Sequence, residues 1–188
     1  MKTLGSSNRF IYSSSYWTDD NLYNDANPNM DPADAKYQGF TTIPFSQVRV
    51  GLQYGGTTNW LTFSGAGNSM KAVMQGGYVA TNAGRDAWKN LMPGGGSLQP
   101  YCNREGFNTL AYSGNCYGDT SHTGVARVRI GIIANQENDC CSPDSRIGLG
   151  GEGSYCGQDP DNPSGNECTC SCDLGDRHNR ANGFLFVR

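Results

Sequence analysis

The cysteines are the residues with the clearest chemical potential in this chain. Six of the eight stand within the last fifty residues, among glycine, aspartate, asparagine and proline. Residues 139–176 are therefore predicted to be a Cys-rich loop subregion with too little apolar side chain for a core of its own. Disulfides are favoured over zinc, because Cys-x-Cys-x-Cys lacks the two-residue spacer of a zinc knuckle and the two histidines lie outside any ligand spacing. The predicted half-cystines are Cys102, Cys116, Cys140, Cys141, Cys156, Cys168, Cys170 and Cys172.

The pairing of these cysteines stays open at the level of sequence. Adjacent Cys140 and Cys141 would be strained if bonded to each other, so each is expected to pair elsewhere, with Cys102 or Cys116 as partners. A redox switch at Cys140–Cys141 is a weaker alternative. Many cysteines in a small chain indicate a secreted, extracellular protein. Because no apolar run follows Met1, a signal peptide is not expected within this chain.

A second kind of chemistry is cation binding by an Asn/Asp segment near the N-terminus. Its oxygen side chains occupy alternate positions, as they do at the start of a calcium loop. The sixth position is Met30 where an EF-hand needs glycine, and the twelfth is Lys36 where it needs glutamate. A loop whose side chains bond their own backbone is therefore favoured over a calcium site. The weak candidate ligands are Asp25, Asn27, Asn29 and Asp31.

Catalytic patterns are poorly supported, and no enzyme is predicted. The glycines at 148, 150 and 153 fit G-x-G-x-x-G, but a dinucleotide fold needs that run to open a helix, and prolines and a cysteine follow it here. The run is therefore interpreted as a loop. His178 could serve as an acid or base, yet no nucleophile motif accompanies it, and a hydrogen-bonded loop histidine is the favoured reading.

Three tryptophans could include a sugar-stacking platform. Trp88 falls at helical spacing and is assigned to the core. Trp17 is the most ambiguous, and Trp60 follows a glycine turn within a predicted hairpin.

Composition limits the class of protein. The chain has 188 residues, 26 of them glycine, with 16% charged residues and a net charge of −3. No basic run interleaves with aromatics, so nucleic acid is not an expected partner, and no apolar stretch is long enough to span a membrane. We expect one domain covering residues 1–188, rich in loops and of β or α+β class.

Periodicity predicts the elements that must position these residues. Strands are expected at 45–54 and 125–133, where apolar residues alternate with polar ones, and at 183–188, where the chain closes with a last strand. Residues 59–63 should return from a Gly55-Gly56 turn, and residues 70–80 are expected to form a second hairpin about Gly76-Gly77. One short helix is predicted at 84–92, capped by Thr81 or Asn82 and stopped by Pro93.

Several motifs, in order, resemble a known family. They are Gly76-Gly77-Tyr78, the run from Gly84 to Leu91, Leu98 to Asn108, Ala126 to Gly131, Asn138-Asp139-Cys140, Asp144 to Gly148 and Gly175 to His178. The chain from about residue 16 onward looks like a fibrinogen-related domain of the intelectin-like type, which leaves residues 1–15 as an N-terminal extension. The resemblance implies a loop-rich, disulfide-stapled α+β fold with short antiparallel strands and few short helices.

The resemblance also implies a calcium-dependent lectin site. In intelectins an Asn, a His and a Glu around a glycine run hold the sugar-binding calcium. Alignment on Ile147-Gly148-Leu149-Gly150-Gly151 places Cys141 at the Asn position, Asp144 at the His position and Glu152 near the Glu. Cysteine for asparagine removes one ligand, which Asp159 or Asp161 could replace. The implied ligand-binding residues are Asp144, Glu152, Tyr155 and His178.

Taken together, the sequence predicts a secreted calcium-dependent module that binds extracellular glycans. The first alternative is a structural protein of a matrix or filament, which would use the same fold for self-assembly without a sugar site. A hydrolase is the third hypothesis.

Overall fold

A computed structural model describes residues 1–111, 124–153 and 159–188. Ten strands form two antiparallel sheets. The strands are β1 Lys2–Thr3, β2 Phe45–Tyr54, β3 Thr57–Gly67, β4 Val79–Ala80, β5 Tyr101–Thr109, β6 Arg127–Asn135, β7 Ser145–Glu152, β8 Ser164–Cys168, β9 Arg177–Arg180 and β10 Asn182–Val187. The first sheet has the order β1-β10-β2-β3, and the second has the order β4-β5-β6-β7-β8-β9.

The predicted alternation in β2 is confirmed. Val48, Val50 and Leu52 are fully buried, because their side chains point to the face of the first sheet that meets the core. β3 returns from the Gly55-Gly56 turn and pairs with β2 along its length, and the last strand, β10, lies between β1 and β2. The first sheet therefore joins the two ends of the chain.

The core unites both sheets. Val48 and Val50 of the first sheet belong to the same buried cluster as Ile130 and Ile132 of β6 and Leu149 of β7. The predicted strand at 125–133 is confirmed with its start shifted, since β6 runs from Arg127 to Asn135.

Three short α-helices occur in the described residues: α1 Gly39–Thr42, α2 Met70–Gln75 and α3 Arg85–Leu91. The helix predicted at 84–92 is confirmed, but its cap is Gly84, and the carboxylate of Glu105 accepts hydrogen bonds from the backbone N–H groups of Ala83 and Gly84 at 3.0 and 2.8 Å. The hairpin predicted at 70–80 is wrong. Residues 70–75 form α2 instead, and Val79–Ala80 pairs with β5.

The predicted α+β class is wrong, because the described chain is a β-rich fold with helices of only four, six and seven residues. The loop reading of the glycine run at 148–153 is also wrong, since β7 contains most of it. A side chain at Gly148 would lie 2.2 Å from the carbonyl oxygen of Ile130, so glycine permits the close approach of β6 and β7.

The Cys-rich subregion lies inside the fold. Within residues 139–176, β7 is buried except at Glu152, and β8 is buried throughout. The prediction of loops is therefore wrong for these two strands, whose apolar residues Ile147 and Leu149 join the core shared by both sheets. Polar side chains fill much of their environment, and they hydrogen-bond one another: Asn166 bonds the backbone of Ser97 in both directions, at 2.7 and 2.8 Å.

Candidate functional site

The two carboxylates predicted to share a calcium ion lie far apart. Asp144 immediately precedes β7 and Glu152 ends it, so extended strand geometry separates them by about 25 Å. Asp144 is buried and accepts a hydrogen bond from Gln99 Nε2 at 3.2 Å. One ion cannot be coordinated by both residues. That part of the implied ligand set is incompatible with the strand.

Glu152 is committed to structural contacts. Its Oε1 accepts from Arg127 Nη2 at 2.6 Å and its Oε2 from the Ser13 backbone N–H at 2.7 Å. Burial alone would raise the pKa of Glu152, but these hydrogen bonds hold the pKa below its usual value. The carboxylate therefore remains charged and links the N-terminal segment to β6 and β7.

Asp159 and His178 do come together, in a charged cluster at the edge of the second sheet. Arg180 donates to both Asp159 oxygens at 2.6 and 2.7 Å, and these bonds lower the pKa of Asp159. His178 Nδ1 lies 2.6 Å from Oε1 of Glu167, a fully buried carboxylate. This contact agrees with the prediction that His178 is hydrogen-bonded. Asp161 is exposed nearby in sequence.

An ammonium group occupies the Asn/Asp loop. Lys2 Nζ lies 2.9 to 3.3 Å from the carbonyl oxygens of Asn27, Asn29 and Asp31 and from Asn29 Oδ1. The Asn29 amide also bonds Asp31, as the backbone-bonding interpretation of the loop expected. The loop thus holds the chain's own cation, whereas Asp25 is exposed. In the described residues no group of three or more His, Cys, Asp or Glu side chains is arranged to hold a metal ion.

Disulfides form as predicted in two described pairs. Cys102 bonds Cys140, one of the two partners expected, and Cys168 bonds Cys172. Cys141 is also disulfide-bonded. Cys170 is a free, exposed thiol, which contradicts its predicted disulfide. The predictions for Cys116, Cys156 and Tyr155 lie outside the described residues.

Of the three tryptophans, Trp60 reaches the surface. Trp17 and Trp88 are fully buried, so both belong to the core. Trp60 lies on the outer face of the first sheet, opposite Gly51 of β2. A side chain at Gly51 would come within 2.4 Å of the indole, which shows that the ring lies directly over the glycine.

Trp60 belongs to a row of aromatic side chains, which we call the aromatic face: Trp60, Phe184 and Phe186. The centre of the Trp60 ring system lies 5.9 Å from that of Phe184 and 5.8 Å from that of Phe186. Phe186 is 45% exposed, although it lies in the paired part of β10, opposite Arg49. Phe184 is buried and Trp60 is half-buried, so Phe186 supplies the exposed part of this face. An exposed aromatic group of this size is typical of binding surfaces.

A cleft of about 330 Å³ adjoins this face, and polar side chains form much of its wall. Phe186, Arg49 and Thr62 are successive cross-strand partners, which places all three side chains on the outer face. None of the polar side chains in the wall has a hydrogen bond or ion pair with the described parts of the chain. Their donors and acceptors are thus available to a ligand. The wall consists of Gln47, Arg49, Thr62, Phe186, Val187 and Arg188.

The sequence patterns did not predict the cleft, because they assigned Phe186 only to a terminal strand and Trp60 only to a hairpin and to a possible sugar-stacking platform. One signal was present: in the alternation of β2, Gln47 and Arg49 share the polar face, and the register with β10 then places Phe186 beside them. That register is a tertiary property, so the sequence could not supply it.

Comparison with known proteins adds no relative: no protein-family model, no curated protein and no solved structure matches this chain. The resemblance to intelectin-like domains therefore rests on the sequence motifs alone.

Proposed function

We propose that this protein is an extracellular carbohydrate-binding module whose ligand lies in the cleft beside the aromatic face. The observation that carries the proposal is the combination of an exposed Phe186 ring with the unpaired polar groups of Gln47, Arg49 and Thr62. Sugars present apolar C–H faces and a rim of hydroxyls, so a site for them needs a flat aromatic surface beside hydrogen-bonding groups.

The compartment supports the proposal. Disulfides Cys102–Cys140 and Cys168–Cys172 indicate an oxidising environment. None of the described helices is of a length and apolarity that would cross a bilayer. Glycans are abundant ligands in extracellular space.

Calcium is not required at this cleft. The carboxylates implied as calcium ligands lie on the second sheet or beside it, and Asp144, Glu152 and Asp159 already have partners in the chain. Calcium-dependent binding remains a prediction from the resemblance. We expect glycan binding at the aromatic face to persist in EDTA.

The test is retention of the protein on a panel of immobilised polysaccharides, with and without EDTA. Phe186→Ala should weaken binding about tenfold, because it removes the exposed stacking surface. Tyr101→Ala is the matched control, since Tyr101 is a 50% exposed aromatic residue of the second sheet. Thermal unfolding should be measured for both variants to establish that each is folded.

Two outcomes would contradict the proposal. One is failure of the unaltered protein to bind any polysaccharide in the panel. The other is equal binding by the Phe186→Ala variant and the unaltered protein. Assembly into fibres without any saccharide would instead favour the structural matrix or filament function.

A further inference from the structure

The guanidinium of Arg49 is held in a defined position without a carboxylate partner. Its central carbon lies 4.4 Å from the centre of the Trp60 ring, a cation–π contact. Arg127 and Arg180, by contrast, donate to carboxylates at 2.6 Å. Arg49 is exposed, and among the described residues its N–H donors have no hydrogen-bond acceptor.

No acidic residue belongs to the sheet that carries Arg49. The strands β1, β2, β3 and β10 contain neither aspartate nor glutamate, whereas Lys2 and Arg49 lie within them. The whole chain has 17 acidic and 14 basic residues, so its average composition does not explain this distribution. The wall of the cleft likewise includes Arg49 and Arg188 and no acidic side chain.

An unpaired guanidinium on an aromatic ring suits a ligand with planar or tetrahedral anionic oxygens. Such a group accepts two parallel N–H bonds from arginine, and these bonds are stronger than those between neutral groups. Thr62 is the cross-strand partner of Arg49 and Gln47 lies in the same wall, so neutral hydroxyls of the same ligand would find partners beside the charge.

We infer that the cleft selects acidic saccharides, with Arg49 binding a carboxylate or sulfate group while Phe186 supports the sugar ring. This inference rests on the proposed function and specifies its ligand class. The carboxylate of a uronic acid and the sulfate of a sulfated glycan present the same recognition chemistry to Arg49, and the test separates them.

The experiment is calorimetric titration of the full chain with three probes: oligogalacturonate, its fully methyl-esterified form, and a heparin-derived oligosaccharide. Oligogalacturonate should bind about fivefold or more tightly than the neutral ester, because one charge-assisted contact is added. Raising NaCl from about 0.05 to about 0.5 M should reduce this preference, since exposed charges are screened. Heparin binding that depends on Arg49 would identify sulfate as an accepted group.

Two variants decide the role of Arg49. Arg49→Gln should bring the ratio of acid to ester affinity close to one. Arg177→Gln removes the same charge from β9, the edge strand of the second sheet, and should leave the ratio unchanged. A circular dichroism spectrum unchanged from the original protein confirms that each variant is folded.

The possible failures are distinct. Equal binding of ester and acid would overturn the inference while leaving the carbohydrate proposal standing. An equal loss in Arg177→Gln would indicate unspecific attraction and would also overturn it. Binding to none of the three probes, together with failure on the polysaccharide panel, would overturn both.

Discussion

At the scale of single residues, hydrogen bonds and ion pairs within the chain determine which reactive side chains are available to a ligand. Asp159, Glu152 and His178 belong to residue types that bind ions or transfer protons, yet each is engaged by a neighbouring charged side chain. Within residues 1–111, 124–153 and 159–188, Arg49 has no such partner, and it is also exposed. The availability of a side chain, more than its type, therefore points to the cleft on the first sheet.

The free thiol of Cys170 gives a residue-scale prediction. Cys170 lies in the loop closed by Cys168–Cys172, where Cys170 and Ser171 both adopt positive φ, at 61° and 66°. Iodoacetamide should label Cys170 in the native, non-reduced protein, because its thiol is exposed and unbonded. Peptide mass mapping is the measurement. The half-cystines Cys102, Cys140, Cys168 and Cys172 should remain unlabelled, and protection of Cys170 would contradict the assignment.

At the scale of elements, one carboxylate fixes α3 to the segment that follows β8. Asp173 accepts from Lys89 Nζ at 2.6 Å and from Arg85 Nη2 at 2.7 Å, both on α3. It also accepts from the Leu98 backbone N–H at 3.1 Å. Burial alone would raise the pKa of Asp173, but these bonds lower it to about 2. Ion pairs and a hydrogen bond of Asp173 thus connect α3 to the segment after β8.

This contact makes stability depend on pH. Because the pKa in the folded state is below the ordinary value of 3.8, the unfolded state binds more protons between these two values. The stabilisation is present above about pH 4 and is lost as pH falls towards about 2. Asp173→Asn should lower the free energy of unfolding by about 1–2 kcal/mol at pH 7 and by much less at pH 2.

Urea denaturation at the two pH values measures this difference. Asp20→Asn is the matched control, since Asp20 pairs with Lys71 but its side chain is 78% exposed, where an ion pair contributes little. A pH-independent effect of Asp173→Asn would contradict the electrostatic explanation.

Some secondary-structure elements can be predicted from the sequence pattern alone, and others cannot. The strand at 45–54 was predictable because one of its faces is buried against the core and the other is not. Apolar and polar residues therefore alternate along its sequence. The helix at 70–75 was not predicted: Ser69 caps its N-terminus locally, but a distant side chain holds its C-terminal end. The Asn108 amide donates to the carbonyl oxygens of Val73, Gly76 and Gly77 at the C-terminal end of α2. A turn signal at Gly76-Gly77 is visible locally, but this cap is not.

At the scale of the whole molecule, the two described disulfides close loops of very different length. Cys102–Cys140 spans 38 residues and ties the start of β5 to the segment between β6 and β7, whereas Cys168–Cys172 spans four. A cross-link stabilises a fold mainly by restricting the unfolded chain, and it does so more strongly for a longer loop.

Removal of each bond should therefore have unequal effects. The chain-entropy relation predicts a loss of about 4 kcal/mol for the Cys102→Ala, Cys140→Ala double variant and about 2 kcal/mol for Cys168→Ala, Cys172→Ala. Free energies of unfolding from urea titration test this ranking, with Cys170→Ala as the control that removes a thiol but no bond. A larger loss for the short loop would show that native contacts at Cys168 outweigh loop closure.

The sequence by itself determined the disulfide chemistry, the short helix at 84–92 and the alternating strands, since these depend on residue type and local period. Tertiary structure decided the rest. It placed β7 and β8 inside a sheet, where the Asn166 side chain hydrogen-bonds the backbone of Ser97 and Arg146, although their composition is typical of loops. It also brought Phe186, Arg49 and Thr62 into one row. Strand register and long-range pairing arise from contacts between distant residues, which no local pattern encodes.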